Sequence, residues 1–183
     1  MNAFLFLAEG FEEIEALATV DILRRADIEV STVSITSEKN VKGKMGITVM
    51  ADTIFDEIVD LDGDILILPG GPAVSKLKEH EGLENLLKEY YMEEKWIAAI
   101  CAAPTVLAKL ELLKNRKAIC YPGLEDELEE ASIQEDVEVV VDEKIVTSKG
   151  PGTTFPFAIK IVELLQGKDK AEKIAEEMVY TEK

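Results

Sequence analysis

Short apolar runs alternate along this chain with longer stretches whose apolar residues recur at helical spacing. Ala3 to Leu7 and Asp64-Ile-Leu-Ile-Leu68 have the length and continuity of strands buried on both faces, and Glu29 to Ile35 and Ile47 to Ala51 read as two more. Between the first two, Glu12 to Ala26 predicts an amphipathic helix. Acidic Glu12 and Glu13 stand at its start and Arg24-Arg25 at its end, as the helix macrodipole favours. Lys39-Asn-Val-Lys-Gly43 reads as a turn. Gly82 to Tyr91 predicts a helix, Trp96 to Ile100 a central strand, and Val106, Leu107, Leu110 and Leu113 a helix over Thr105 to Leu113. Farther on, Lys117 to Cys120 reads as a strand end before Tyr121-Pro-Gly123. Glu125 to Glu130 reads as the solvated face of a short helix. Val137 to Val141 and Lys144 to Ser148 predict a hairpin turning at Asp142-Glu143. Helices over Phe155 to Leu165 and Asp169 to about Met178 follow, with Gly167 as a C-cap between them.

Strands alternating with helices predict an α/β fold, a parallel sheet covered on both faces. No repeat, low-complexity segment or linker divides the chain, so residues 1–183 are expected to form one domain. Sites in such sheets gather outside the carboxyl ends of the strands. Three such ends stand out: Gly10 to Glu15, Pro69 to Pro72 and Cys101 to Pro104.

The last of these has the plan of a nucleophile elbow, in which a tight strand-to-helix turn presents one reactive side chain above the sheet. Ala102 and Ala103 leave room for the turn, and Pro104 suits the first helical turn. A thiol there faces the positive end of a helix dipole, which favours the thiolate. The competing reading of Cys101 is a core cysteine, since free Cys is among the most buried residue types. Glu15 supplies a second candidate. Phe11, Ala18 and Ile22 lie at i−4, i+3 and i+7 from it, which sets its carboxyl on or beside an apolar stripe, while Glu12 and Glu13 face water. Desolvated there, it would keep its proton near neutral pH and could serve a thiolate as hydrogen-bond donor and proton shuttle. At the stripe's edge it would instead reach solvent. Pro69-Gly-Gly-Pro72 can bring bare N–H groups toward a ligand, forming an oxyanion hole with the N–H of Ala102, or it is merely a turn.

Composition narrows the partners. Lys and Arg number 20 against 37 Asp and Glu, a net charge of −17, and no basic stripe exists to follow a phosphate backbone. Nucleic acid is not an expected partner. The N-terminal apolar run is too short for a signal peptide or membrane span, and two cysteines make no disulfide framework, so the expected setting is reducing cytoplasm away from membranes. No Cys/His cluster has metal spacing, and no G-x-G-x-x-G or P-loop pattern appears, so neither metal nor cofactor is expected.

Four stretches, Ala8-Glu-Gly-Phe-Glu-Glu-Ile-Glu15, Leu68-Pro-Gly-Gly71, Ala98-Ala-Ile-Cys-Ala-Ala-Pro104 and Thr147-Ser-Lys-Gly-Pro-Gly-Thr-Thr-Phe155, resemble the ThiJ/PfpI superfamily. Within it the chain is most similar to the Parkinsonism-associated deglycase group and its bacterial and archaeal ThiJ-like relatives. The resemblance runs from Ala3 to about Val179. It implies a flavodoxin-like three-layer sandwich with an extra C-terminal helix near the site, working as a homodimer. It also implies that Cys101 is the reactive, oxidisable cysteine, Glu15 its protonated partner, and Gly71 and Ala102 backbone donors around the sulfur.

The protease branch of that superfamily has a His directly after the elbow cysteine. Here Ala102 stands there, and Glu125 to Asp136, where some members carry another His, has none. His80, the single histidine, is expected at the surface amid charge. With no evident base for a Cys-His pair, peptide hydrolysis is disfavoured, and thiolate addition to an aldehyde, which needs only a nearby acid, is favoured. The expected activity is a cofactor-independent glyoxalase or deglycase acting on small reactive aldehydes such as methylglyoxal. The alternative is an oxidative-stress sensor or chaperone acting through oxidation of Cys101. A third reading, thiamine-pathway chemistry or hydrolysis, rests on the names of relatives.

Overall fold

A computed structural model describes residues 1–58 and 62–181. In chain order the regular elements begin with β1 (Asn2–Leu7), α1 (Glu13–Arg25), β2 (Glu29–Ser34), β3 (Asn40–Lys42), β4 (Thr48–Met50) and β5 (Thr53–Ile54). Next come β6 (Ile65–Leu68), α2 (Val74–Glu79), α3 (Glu81–Met92), β7 (Trp96–Ile100) and α4 (Pro104–Lys109). The chain continues through β8 (Lys117–Ala118), β9 (Ser132–Ile133), β10 (Val139–Asp142), β11 (Ile145–Ser148), α5 (Thr154–Gln166) and α6 (Lys168–Glu177).

Seven of these strands form one sheet in the order β10-β11-β7-β6-β1-β2-β5. All its neighbours pair parallel except β10 and β11. Right-handed crossovers run from β1 to β2 in one direction and from β6 to β7 in the other, which puts α1 and the α2–α3 pair on opposite faces. Helix α5 packs on α1, α6 on α5, and α4 on α2, completing a three-layer α/β sandwich. The central strands are apolar on both sides because both sides are covered: Leu5 to Leu7, Ile65 to Leu68 and Ile97 to Ile100 are all buried. Among the described residues, no helix is long and apolar enough to cross a membrane.

The expected elements are present, with some boundaries redrawn. Lys39 to Gly43 is not a turn: Asn40–Lys42 is a strand, paired antiparallel with Thr48–Met50, and the turn lies after Gly43. The elbow helix stops at Lys109 instead of reaching Leu113. Its end is a Schellman motif, in which Leu112 N–H bonds to Leu107 O at 3.0 Å and Glu111 N–H to Ala108 O at 2.8 Å. Glu111 takes the left-handed position, φ 60°, where glycine is usual. Leu112 and Leu113 are still buried, but from the loop. The acidic run after Gly123 holds only a single 3₁₀ turn, Glu125–Glu127. The hairpin turns at Glu143-Lys144, one residue later than expected, because Asp142 is still paired with Ile145. Helix α6 lies along α5. Lys170 near its start pairs with Asp27 at 2.9 Å, and Tyr180 beyond its end stacks on Phe155 at 5.8 Å.

Candidate active site

β1 and β6 are neighbours although α1, β2 and the β3–β4 hairpin separate them in sequence. This switch point, with β7 beside it, gathers the three strand ends. Cys101 follows β7 directly with φ 67°, a left-handed conformation that costs a residue bearing a Cβ about 1–2 kcal/mol. Flanking segments enforce it. Cys101 N–H donates to Ser148 O at 2.9 Å, Tyr121 N–H donates to Cys101 O at 2.8 Å, and Ala103 N–H returns to Ile100 O at 3.0 Å. The turn is thus clamped by β11 on one side and the Tyr121 loop on the other, and Pro104 opens α4 beyond it.

Glu15 reaches this turn from the first turn of α1 and is 1% exposed. Its Oε2 accepts from Gly70 N–H at 2.7 Å, and its carboxyl is hydrogen bonded to the Cys101 thiol. Gly70 is the spacer between them. A Cβ on it would lie 2.6 Å from Cys101 Cβ, 2.8 Å from Glu15 Oε2 and 3.0 Å from Cys101 Sγ. Gly71, at φ +89°, has no room for a side chain either, and its N–H and that of Ala102 both donate to the Cys101 sulfur. The structure therefore brings Cys101, Glu15, Gly71 and Ala102 together.

Burial sets the protonation of the pair. It raises the Glu15 carboxyl to about 7, against the opposing pull of the Gly70 N–H. The Cys101 thiol is pushed up to about 12, first by burial and then by the charge of Glu15, while the Gly71 and Ala102 donors act the other way. The sequence-based expectation that the helix dipole governs this thiol is corrected: α4 is six residues long, and desolvation outweighs it. Between about 7 and about 12 the two groups together hold one proton. The two backbone donors pull the sulfur toward the thiolate, but less strongly than burial and the Glu15 charge hold it as the thiol.

The DJ-1/PfpI family profile matches residues 1–164. The chain belongs to the DJ-1/PfpI family. It is 37% identical over 167 residues to the glutathione-independent glyoxalase DJR-1.2 of Caenorhabditis elegans, covering 91% of this chain and 89% of that protein. It is 37% identical over 175 residues to the protein DJ-1 homolog B of Arabidopsis thaliana, covering 94% of this chain but only 40% of that longer protein. The crystal structure of Drosophila melanogaster DJ-1beta superposes with a TM-score of 0.95 at 34% identity, over 99% of this chain and 98% of that one.

Other features of this DJ-1/PfpI chain were misjudged or missed in the sequence. Glu12 and Glu13 do not face water, being 7% and 5% exposed, because the β3–β4 hairpin folds over the start of α1. Glu13 Oε1 accepts from Met45 N–H at 2.8 Å and Ile47 N–H at 3.3 Å, and Lys44 Nζ lies 3.7 Å from Glu12 Oε2. His80 is no loose surface residue. Its Nδ1 accepts from Leu83 N–H at 3.0 Å, capping α3, and its ring meets Phe55 at 4.6 Å. Cys120 is buried outside the cluster, its thiol pushed up to about 12 by burial and then by Glu125 and Glu127. Two neighbours of the sulfur went unnoticed. A Cβ on Gly150 would lie 3.9 Å from Cys101 Sγ and 3.2 Å from Tyr121 Cδ2, so that loop and the Tyr121 ring border the site. Gly-Pro-Gly in the sequence hinted at the first; nothing in local pattern marks Tyr121.

Proposed function

We propose that this protein is a cysteine-dependent, cofactor-independent glyoxalase acting on small α-oxoaldehydes such as methylglyoxal. One observation carries the proposal: a buried carboxyl that keeps its proton to about 7 is hydrogen bonded to a thiol whose sulfur also accepts from two backbone N–H groups. The name of the Caenorhabditis elegans relative supports the same reading.

The chemistry follows from that arrangement. The Cys101 thiolate adds to the aldehyde carbon, and the C=O π pair moves onto oxygen. That oxygen takes the proton of Glu15, giving a neutral hemithioacetal and leaving a carboxylate. The Gly71 and Ala102 N–H groups, already aimed at the anionic sulfur, follow the charge as it moves to the adjacent oxygen. The Glu15 carboxylate then removes the C–H proton of the former aldehyde carbon and returns it to the neighbouring carbon, while the hemithioacetal hydroxyl proton passes to the ketone oxygen through the enediol. The product is a thioester of a 2-hydroxy acid. Water cleaves the thioester, releasing lactate from methylglyoxal and restoring the thiol. Carbon is oxidised at one centre and reduced at the next, so no external redox partner enters.

A second reading has its own support. The acidic proton of Glu15 and the two N–H groups would equally hold the oxygens of a Cys101 sulfinate formed by peroxide, making the site a sensor. The deciding measurement is lactate release from methylglyoxal by EDTA-treated protein without glutathione. Release that is lost in Cys101→Ser supports the glyoxalase. No release above that control, with ready peroxide oxidation of Cys101, establishes the sensor instead.

The proposal includes a homodimer in the cytoplasm. Its support is an apolar patch spanning α1 and the β3–β4 hairpin: Ile14, Met45, Ile47 and Met50 are 53%, 74%, 55% and 74% exposed. A second copy of this chain offers the matching apolar face.

A further inference from the structure

We propose that Tyr121 determines which aldehydes the Cys101 site prefers, its ring serving as the wall against which the substituent of the aldehyde packs. The inference rests on the glyoxalase reading for its substrate class, and on the following geometry for the residue. Gly150 lies between the ring and the sulfur. The position its Cβ would take is 3.2 Å from Tyr121 Cδ2, 3.7 Å from Cε2 and 3.9 Å from Cys101 Sγ. The missing side chain thus leaves ring edge and reactive atom facing one another across bare backbone.

Tyr121 is also held in place. Its N–H donates to Cys101 O at 2.8 Å, and its own carbonyl accepts from Leu124 N–H at 3.1 Å. The elbow and the ring are therefore parts of one hydrogen-bonded turn, and the ring moves with the nucleophile. Yet the residue is 48% exposed, so Tyr121 keeps free surface available for a contact. The other groups around Sγ offer little to grip. Gly70, Gly71, Ala102 and Gly150 have small side chains or none, and Glu15 is buried with its carboxyl committed to the thiol. Once the aldehyde carbon is bonded to Sγ, its substituent projects from a point near the ring. A hydrogen there, as in glyoxal, gains nothing from Tyr121. A flat apolar group, as in phenylglyoxal, covers the exposed ring and gains the contact energy of an aromatic pair.

Two readouts test this, one of which needs no turnover. The first is the ratio of kcat/KM for phenylglyoxal over glyoxal. The second is the concentration of each aldehyde that halves iodoacetamide labelling of Cys101, which reports hemithioacetal formation alone. Tyr121→Ala is expected to lower the preference for phenylglyoxal about threefold to tenfold in both, the range an aromatic contact supplies. Tyr121→Phe keeps the ring and is expected to keep the preference. If the alanine variant does not fold, Tyr121→Leu replaces it, with a loss of at least about twofold expected. An unchanged preference in the Ala or Leu variant overturns the proposal. So does a loss in Tyr121→Phe as large as in Tyr121→Ala, which would assign the effect to the hydroxyl. Failure of both aldehydes to protect Cys101 overturns it as well. Protection with the expected preference but without lactate-type product leaves this assignment standing and removes the glyoxalase reading.

Discussion

Gly70 and Glu15 are 55 positions apart in sequence, yet the glycine N–H donates to Glu15 Oε2 at 2.7 Å in a buried site. The bond satisfies one carboxyl oxygen. The other, Oε1, is buried without a hydrogen-bond partner, which a charged carboxylate tolerates poorly. Desolvation wins over the Gly70 bond, and the carboxyl stays neutral until about 7. This has a consequence for stability. The folded chain holds that proton more tightly than the unfolded chain, where the group titrates at its ordinary 4.5. The associated stability is complete below about 4.5 and is lost as pH rises to about 7, an effect of about 3 kcal/mol. Glu15→Gln keeps an oxygen for Gly70 N–H and carries no charge. We expect wild type and variant to be closest in urea midpoint near pH 4, with the variant gaining on wild type through pH 7. Parallel curves across this range would show that Glu15 is not the buried acid.

The same pair governs the reactivity of the thiol. Iodoacetamide alkylation of Cys101 should rise through an inflection near pH 7, where the pair loses its first proton, and that inflection should vanish in Glu15→Gln. Both thiols are pushed up to about 12, but Cys101 alone has backbone donors favouring its ionised form, so Cys120 should label more slowly at every pH from 6 to 8. Mass spectrometry of tryptic peptides distinguishes the two thiols. Faster labelling of Cys120 would contradict the elbow geometry.

Gly70→Ala is expected to separate the two halves of the site. The new methyl would press on Cys101 and Glu15 together, costing about 1–3 kcal/mol and suppressing thiol reactivity. Gly152→Ala is the matched control. Nothing lies within 4 Å of the position its Cβ would take, so its stability should stay within about 0.5 kcal/mol of wild type. Chemical denaturation and Cys101 labelling of the two variants measure both effects.

Ile14 and Met45 are 53% and 74% exposed, and Met45 N–H donates to Glu13, the residue before Ile14. Charged replacements at both, Ile14→Asp with Met45→Asp, should convert a dimer into a monomer of 20.2 kDa at micromolar concentration. Sedimentation equilibrium decides the point. A wild-type protein already monomeric under these conditions would remove the dimer from the proposal.

Much of this structure is legible in the residue pattern, for reasons that differ by element. Ile65–Leu68 and Trp96–Ile100 announce themselves because strands buried on both faces must be continuously apolar. Cys101 stands out because the tight turn after it needs Ala102, Ala103 and Pro104. The stripe around Glu15 correctly suggested burial, but the same logic assigned Glu13 to water. Its burial comes from the hairpin 32 residues later, which no helical periodicity can foresee. Asn40–Lys42 has one apolar side chain, Val41, and so lacks the alternation that marks a strand. The end of α4 was hidden because Glu111 fills a left-handed position with no glycine to signal it. Tyr121 was invisible because its place beside the sulfur depends on two loops meeting.

The clamp on the elbow has a bearing on biosynthesis. Cys101 N–H is held by Ser148 O, and β7 pairs with β11 at Ile145–Ser148. A nascent chain that has exposed Cys101 must still deliver about fifty further residues before that strand can dock. Until then the backbone of Cys101 has no partner to hold it left-handed, and its thiol titrates as an ordinary cysteine in water. The buried, Glu15-paired sulfur is thus a property of the finished sheet, assembled only when synthesis has passed β11. Partially folded or truncated forms would carry the same cysteine as an ordinary thiol, without Glu15 and the backbone donors around it.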